Sequence, residues 1–284
     1  MDTGAAAIQE QRDRLAYRLA ERYLLGLPGV TREMLDMRIA PDPTVQRPGD
    51  MRGVYLQMLR SLQSPQAMPR VIGGSIGGVE RLGPVLFDFD PARVAVAYSP
   101  DADSCTRMFA EIKAKLSPTG KLRDAPNATW PKYCRAAASG AAFLARFGDA
   151  PSFYEWVEAQ DTGVDERIDA ATEIEKQVYG MGFALACDFL KGLGYHSFCK
   201  PDVHLKDIFP AVGLSASTKD RDLFRAISRI GGNVGVTSYT VDMLFWLVGS
   251  GDFSPEGPRF PGTKASFIAM ARDALVVDGG GLKG

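Results

Sequence analysis

The run Ile174-Glu-Lys-Gln-Val-Tyr-Gly180-Met-Gly182-Phe-Ala-Leu-Ala-Cys-Asp-Phe-Leu-Lys-Gly-Leu-Gly194 sets two helical apolar patterns on either side of a very tight turn. Gly180 and Gly182 flank apolar Met181, a composition suited to a hairpin whose backbone takes conformations that a side chain would obstruct. Ala186 permits the second helix to pack closely. A turn of this kind directs backbone amides outward at a helix start, where the helix dipole also favours a phosphate, with no lysine required.

A glycine-apolar-glycine turn by itself is common in helix pairs and nucleotide loops. The residues beyond this turn add weight. The second helix ends at Gly192 and Gly194, and a loop then leads to Lys200-Pro-Asp202-Val-His204-Leu-Lys-Asp-Ile-Phe209, which starts another helix with Asp202 in the capping position.

Gly180-Met-Gly182 and then Pro201-Asp-Val-His204 resemble, in residue type, order and spacing, the helix-hairpin-helix (HhH-GPD) DNA glycosylase superfamily. The resemblance covers about 130–251, including Gly213-Leu214 and the apolar stretch Val241 to Gly249; the first third of the chain does not align. It implies a mainly α, two-lobed glycosylase-like fold with the helix-hairpin-helix at about 172–193. It also implies DNA carrying a damaged or modified base as partner, and Asp202 as the catalytic carboxylate. The hairpin residues Gly180, Met181, Gly182, Phe183 and Ala184 would then hold the DNA backbone. Members that also cut the strand carry a lysine two residues past the second hairpin glycine; Ala184 stands there, so the resemblance implies a monofunctional enzyme unless Lys191 or Lys200 reaches the sugar. Some relatives hold an iron-sulfur cluster through four cysteines after the aspartate, and no cysteine occurs after Cys199 here. No cofactor is expected, although the hairpin backbone leaves room for a bound cation.

Chemically the role suits a carboxylate. Breaking an N-glycosidic bond builds positive charge on the sugar, which a fixed negative charge stabilises, after the base has been turned out of the stack. His204 is a candidate to orient Asp202 or touch a phosphate, with packing at the helix start as the equal alternative. Asp242 lies in the apolar stretch Val241 to Trp246, where a carboxylate needs a partner or a polar cavity; it is a candidate base-edge reader, and Phe245 and Trp246 are candidate pocket walls. A salt-bridged Asp242 and core aromatics are the alternatives. His196 falls in a loop and carries no assigned role.

Composition bounds the rest. With 284 residues and 45% apolar content the chain can bury a sizeable core, while a net charge of −1 offers no global attraction to nucleic acid, so DNA affinity must be local. Cys105, Cys134, Cys187 and Cys199 are far apart and read as free buried thiols. No leader pattern or membrane-length apolar run is seen, and a cytoplasmic monomer is expected.

Along the chain, Leu15, Leu19, Tyr23 and Leu24 predict a helix ending at Gly26-Leu-Pro-Gly29, and further helices are predicted at Met51 to Leu62, Ala92 to Tyr98, Asp103 to Leu116 and Tyr133 to Phe147. Pro151-Ser152 opens another, with Phe153, Trp156 and Val157 as core. The glycine-rich stretch Val71 to Gly83 suggests turns or short strands, giving a few strands in the N-terminal half. The loop from Lys115 to Ala128 suggests a boundary between an N-terminal lobe, 1–125, and a helical core, 126–284. Gly279-Gly-Gly281 reads as a loose tail. The alternatives to a glycosylase are a non-catalytic hairpin DNA-binding protein with Asp202 as a cap only, a bifunctional enzyme with a relocated lysine, and an unrelated helical enzyme.

Overall fold

The computed structural model describes residues 3–44, 46–64, 68–254 and 257–277, and among these it is mainly helical. Two compact units emerge, one made of Met1–Val45 with Tyr195–Gly284 and the other of Gln46–Gly194.

The chain opens in the first unit with α1 (Thr3–Leu25) and α2 (Arg32–Ile39). α1 stops at the predicted breaker, and the Thr31 side chain starts α2 by accepting the Met34 N–H at 3.1 Å.

In the second unit, Asp50 caps α3 (Met51–Leu62), and short helical turns α4 (Met68–Val71) and α5 (Gly73–Ile76) come next. The stretch expected as turns or strands is therefore helical turns: Gly77 and Gly78 take φ of +81° and +118° and break each turn before a ladder can extend. No strand occurs among the described residues, and the one isolated β-bridge pairs Asp252 with Arg259 near the other end of the chain. Asp90 caps α6 (Pro91–Ala97), whose Pro91 fills the first helical position where no N–H is needed. Then come α7 (Ala102–Leu116), α8 (Thr129–Leu144), α9 (Ala150–Gln160), α10 (Val164–Gln177) and α11 (Phe183–Gly192).

The core of this unit is built on α8, an alanine-rich helix whose small side chains let α3, α6 and α7 approach it. Gly140 shows how closely: a Cβ there would fall 2.7 Å from Met58 Sδ. Phe153 and Val157 are buried as expected, and Trp156 joins the same ring cluster, 5.9 Å from Phe143 and 6.0 Å from Phe153.

Back in the first unit are α12 (Val203–Ala211), α13 (Asp220–Val234), α14 (Ser238–Ser250) and α15 (Thr263–Val277). α1 packs on α13 through a buried polar clasp. Asp13, fully buried, accepts two bonds from Arg229, at 2.8 and 3.1 Å, one from Asn233 at 2.8 Å and one from Gln9 at 2.9 Å. That clasp explains why the unit boundaries differ from the 125/126 division suggested by the Lys115 to Ala128 loop. The loop is internal to the second unit, and the first helix belongs with the last ones. The Gly279 to Gly281 tail lies outside the described residues.

Candidate functional site

α10 and α11 pack on each other and are joined by Val178 to Gly182, so the hairpin expected at about 172–193 is present as two helices and a tight turn. Gly180 has φ of +75°, a left-handed conformation that costs an L side chain roughly 1–2 kcal/mol. Gly182 is the N-cap residue of α11, and a Cβ on it would meet nothing within 4 Å.

The turn sorts its residues by alternation. Met181 and Phe183 are buried, and their amides are used internally: Met181 N–H donates to Val178 O at 3.1 Å and Phe183 N–H to Glu175 Oε1 at 3.1 Å. Closing the turn therefore uses the amides of these two residues, which leaves neither open to an outside acceptor. The amides of Gly180, Gly182 and Ala184 find no acceptor among the described residues, and both glycines are exposed. Unpartnered N–H groups at and just before a helix start are of the kind that suits an anion. Ser139 on α8 braces the turn by accepting the Tyr179 N–H at 2.9 Å.

In the first unit, Asp202 caps α12. Its Oδ1 accepts the His204 N–H at 2.8 Å and the Leu205 N–H at 3.2 Å, while Oδ2 has no hydrogen bond among the described residues. One oxygen thus fixes the carboxylate to the helix start and the other remains available. The residue is partly exposed.

His204 turns its ring toward α14. Its Nδ1 is buried without a partner, and a Cβ on Gly249 would fall 2.3 Å from His204 Cβ. Only a glycine on α14 accommodates this approach. The packing alternative accounts for that edge of the ring.

Asp242 is 2% exposed, and its Oδ2 accepts the Lys200 N–H at 2.8 Å. This is the partner that a carboxylate on an apolar helix requires. It ties down the loop that leads to Asp202, and at 2% exposure its carboxylate presents no open edge for a base. Phe245 is fully buried, with its ring 4.9 Å from Phe209 and 6.1 Å from Phe267. It is core, not a pocket wall, because it faces α12 and α15. Trp246 is half-buried and remains the candidate aromatic of that stretch. Lys191 and Lys200 are both partly buried and engaged in interactions. The His196 ring packs edge-on to Tyr239 at 5.4 Å, and its carbonyl accepts the Tyr239 N–H.

All four cysteines are free and buried, and burial pushes the Cys134 thiol up, away from thiolate chemistry. Among the described residues no group of three or more His, Cys, Asp or Glu side chains could hold a metal ion, and no helix is long and apolar enough to cross a membrane. Comparison with models of known protein families, with curated proteins and with solved structures gives no match.

Proposed function

We propose that this protein is a monofunctional DNA glycosylase that turns a damaged or modified base out of the duplex and hydrolyses its N-glycosidic bond. The observation that carries the reading is the exposed hairpin with unpartnered amides at Gly180, Gly182 and Ala184, which suits a backbone phosphate. Asp202 supplies the carboxylate: Oδ1 locks its position and Oδ2 is left to face the cationic sugar or to orient the attacking water. Ala184 offers no amine for a covalent imine, so the product is an intact abasic site. Duplexes each bearing one modified base, incubated with the protein and then treated with alkali, test this directly. Cleavage that depends on both protein and alkali supports the proposal, and an absence of abasic sites across oxidised, alkylated, deaminated and methylated bases removes it.

A second reading has its own support. Two backbone amides on Oδ1 are what a pure helix cap would show, which favours a non-catalytic DNA-binding protein built on the same hairpin.

A further inference from the structure

Along α8, Thr129, Lys132, Ala136 and Ser139, with Arg135 beside them, recur at the three- and four-residue spacing that aligns side chains on one helix face. The hairpin meets the later part of this line. Ser139 Oγ binds the Tyr179 amide, and the Arg135 guanidinium lies 4.1 Å from the centre of the Tyr179 ring. Toward the helix start the face carries Lys132 and then reaches a cavity of about 330 Å³ lined by Lys121, Arg123, Asn127, Thr129 and Trp130, among others.

Three features of this cavity and the start of α8 suit an anionic acceptor. First, Lys121 and Arg123, which line it, and Lys132 and Arg135, farther along α8, are exposed and form no ion pair among the described residues, although Arg135 also borders a second cavity with Asp101 and Asp124. The carboxylate nearest in sequence, Asp124, pairs with Lys113 at 2.6 Å. Second, the α8 N-terminus is bare: Ala128 cannot cap it, no acidic residue sits in its first turn, and the Thr129 and Trp130 amides meet no acceptor among the described residues. Third, Trp130 is 2% exposed and its indole Nε1–H has no acceptor, an uncommon state for a buried donor.

We infer that this cavity and the α8 face continue the DNA backbone track that begins at the hairpin. Successive phosphates of one strand then meet the hairpin amides, Arg135 with Lys132, and finally the α8 N-terminus with Lys121 and Arg123. At ~1.5 Å rise per helical residue, the stretch from Ala136 back to Ala128 spans on the order of 12 Å, or about two intervals between successive phosphates of one strand, which lie farther apart than the ~3.4 Å axial rise. The track rests on the proposed role of the hairpin in binding DNA. It also gives a chain of net charge −1 a local set of cations for a polyanion.

The test is fluorescence anisotropy on a short undamaged duplex as a function of salt, with wild type, Gly182→Asp, Lys121→Ala/Arg123→Ala and Lys132→Ala/Arg135→Ala. Each alanine pair should keep the wild-type melting temperature, weaken binding by on the order of tenfold, and flatten the log affinity against log salt slope by about 0.9 per lost phosphate contact. Neutral methylphosphonate linkages, placed one at a time, should reveal a sensitive position about two steps from the hairpin's phosphate. The Lys121→Ala/Arg123→Ala protein should no longer respond to that linkage. Wild-type affinity and slope in both pairs, with Gly182→Asp impaired, would overturn the track and leave DNA binding by the hairpin standing. Weaker binding with an unaltered methylphosphonate pattern is a general charge effect and overturns it too. Wild-type protein that does not bind duplex at low salt overturns both the track and the proposed function beneath it.

Discussion

The Asp242 carboxylate, buried on α14, accepts the backbone N–H of Lys200 at 2.8 Å, two residues ahead of Asp202. The loop that presents the candidate catalytic group is thus tied to the middle of a core helix. Asp242→Ala leaves a buried donor without its acceptor, which costs roughly 1–3 kcal/mol, and it frees the approach to Asp202. Asp242→Asn keeps an acceptor oxygen and should cost less. Urea unfolding reads the first effect and single-turnover excision the second; an alanine variant with unaltered stability would show the bond to be dispensable.

Gly249 and His204 set how closely α12 meets α14. Because a Cβ on Gly249 would lie 2.3 Å from His204 Cβ and 2.8 Å from Nδ1, Gly249→Ala must push the helices apart. Overpacking of this kind costs typically about 1–3 kcal/mol. Differential scanning calorimetry should show a lowered Tm, and Gly249→Ala should cost less in a His204→Gly background, where the opposing Cβ is gone, than in the wild type.

Gly182→Asp separates folding from DNA binding. The position is an N-cap with φ of −68° and open space around it, so an aspartate is tolerated and can itself cap α11. Its negative charge, however, stands among the amides proposed to hold a phosphate. Stability should be maintained or slightly raised while duplex affinity falls; unchanged affinity in anisotropy would remove the hairpin from the interface.

Asp202→Asn keeps the capping geometry, because an amide oxygen can still accept the His204 and Leu205 N–H groups. Folding and DNA affinity should survive. Loss of a preorganised negative charge facing a developing cation should lower the excision rate by on the order of a hundredfold or more. Single-turnover rates at equal occupancy decide the matter: equal rates would leave Asp202 as a cap and favour the non-catalytic reading.

Borohydride reduction during incubation with abasic-site DNA should trap no covalent protein-DNA species, since Ala184 has no amine where the resemblance would place one. A trapped adduct that disappears in Lys200→Ala or Lys191→Ala would establish a relocated nucleophile.

Much of the fold was legible because its signals are local. Asp50, Asp90 with Pro91, and the glycines of the hairpin mark helix ends through bonds and backbone conformations that span only a few residues, and the structure starts helices at Met51, Pro91 and Phe183 accordingly. Asp202 could be recognised as a helix cap for the same reason. The stretch Val71 to Gly83 misled because glycines there signal a break without stating what is broken.

Residue type within one or two turns was enough to set a helical hairpin at about 172–193, whose first helix the structure extends back to Val164, and the carboxylate opening α12. Partners distant in the chain were a matter for the folded arrangement. Asp242 and Phe245 share a helix and an apolar neighbourhood in sequence, yet the first turns to a backbone amide of residue 200 and the second to the rings of Phe209 and Phe267. Likewise, α1 joins the C-terminal helices where Asp13 meets Arg229 and Asn233 and where Tyr23 meets Thr263 and Phe267. A hydrogen bond or ring contact between such residues depends on where the chain returns in space, and a helical repeat of three to four residues contains no record of that return.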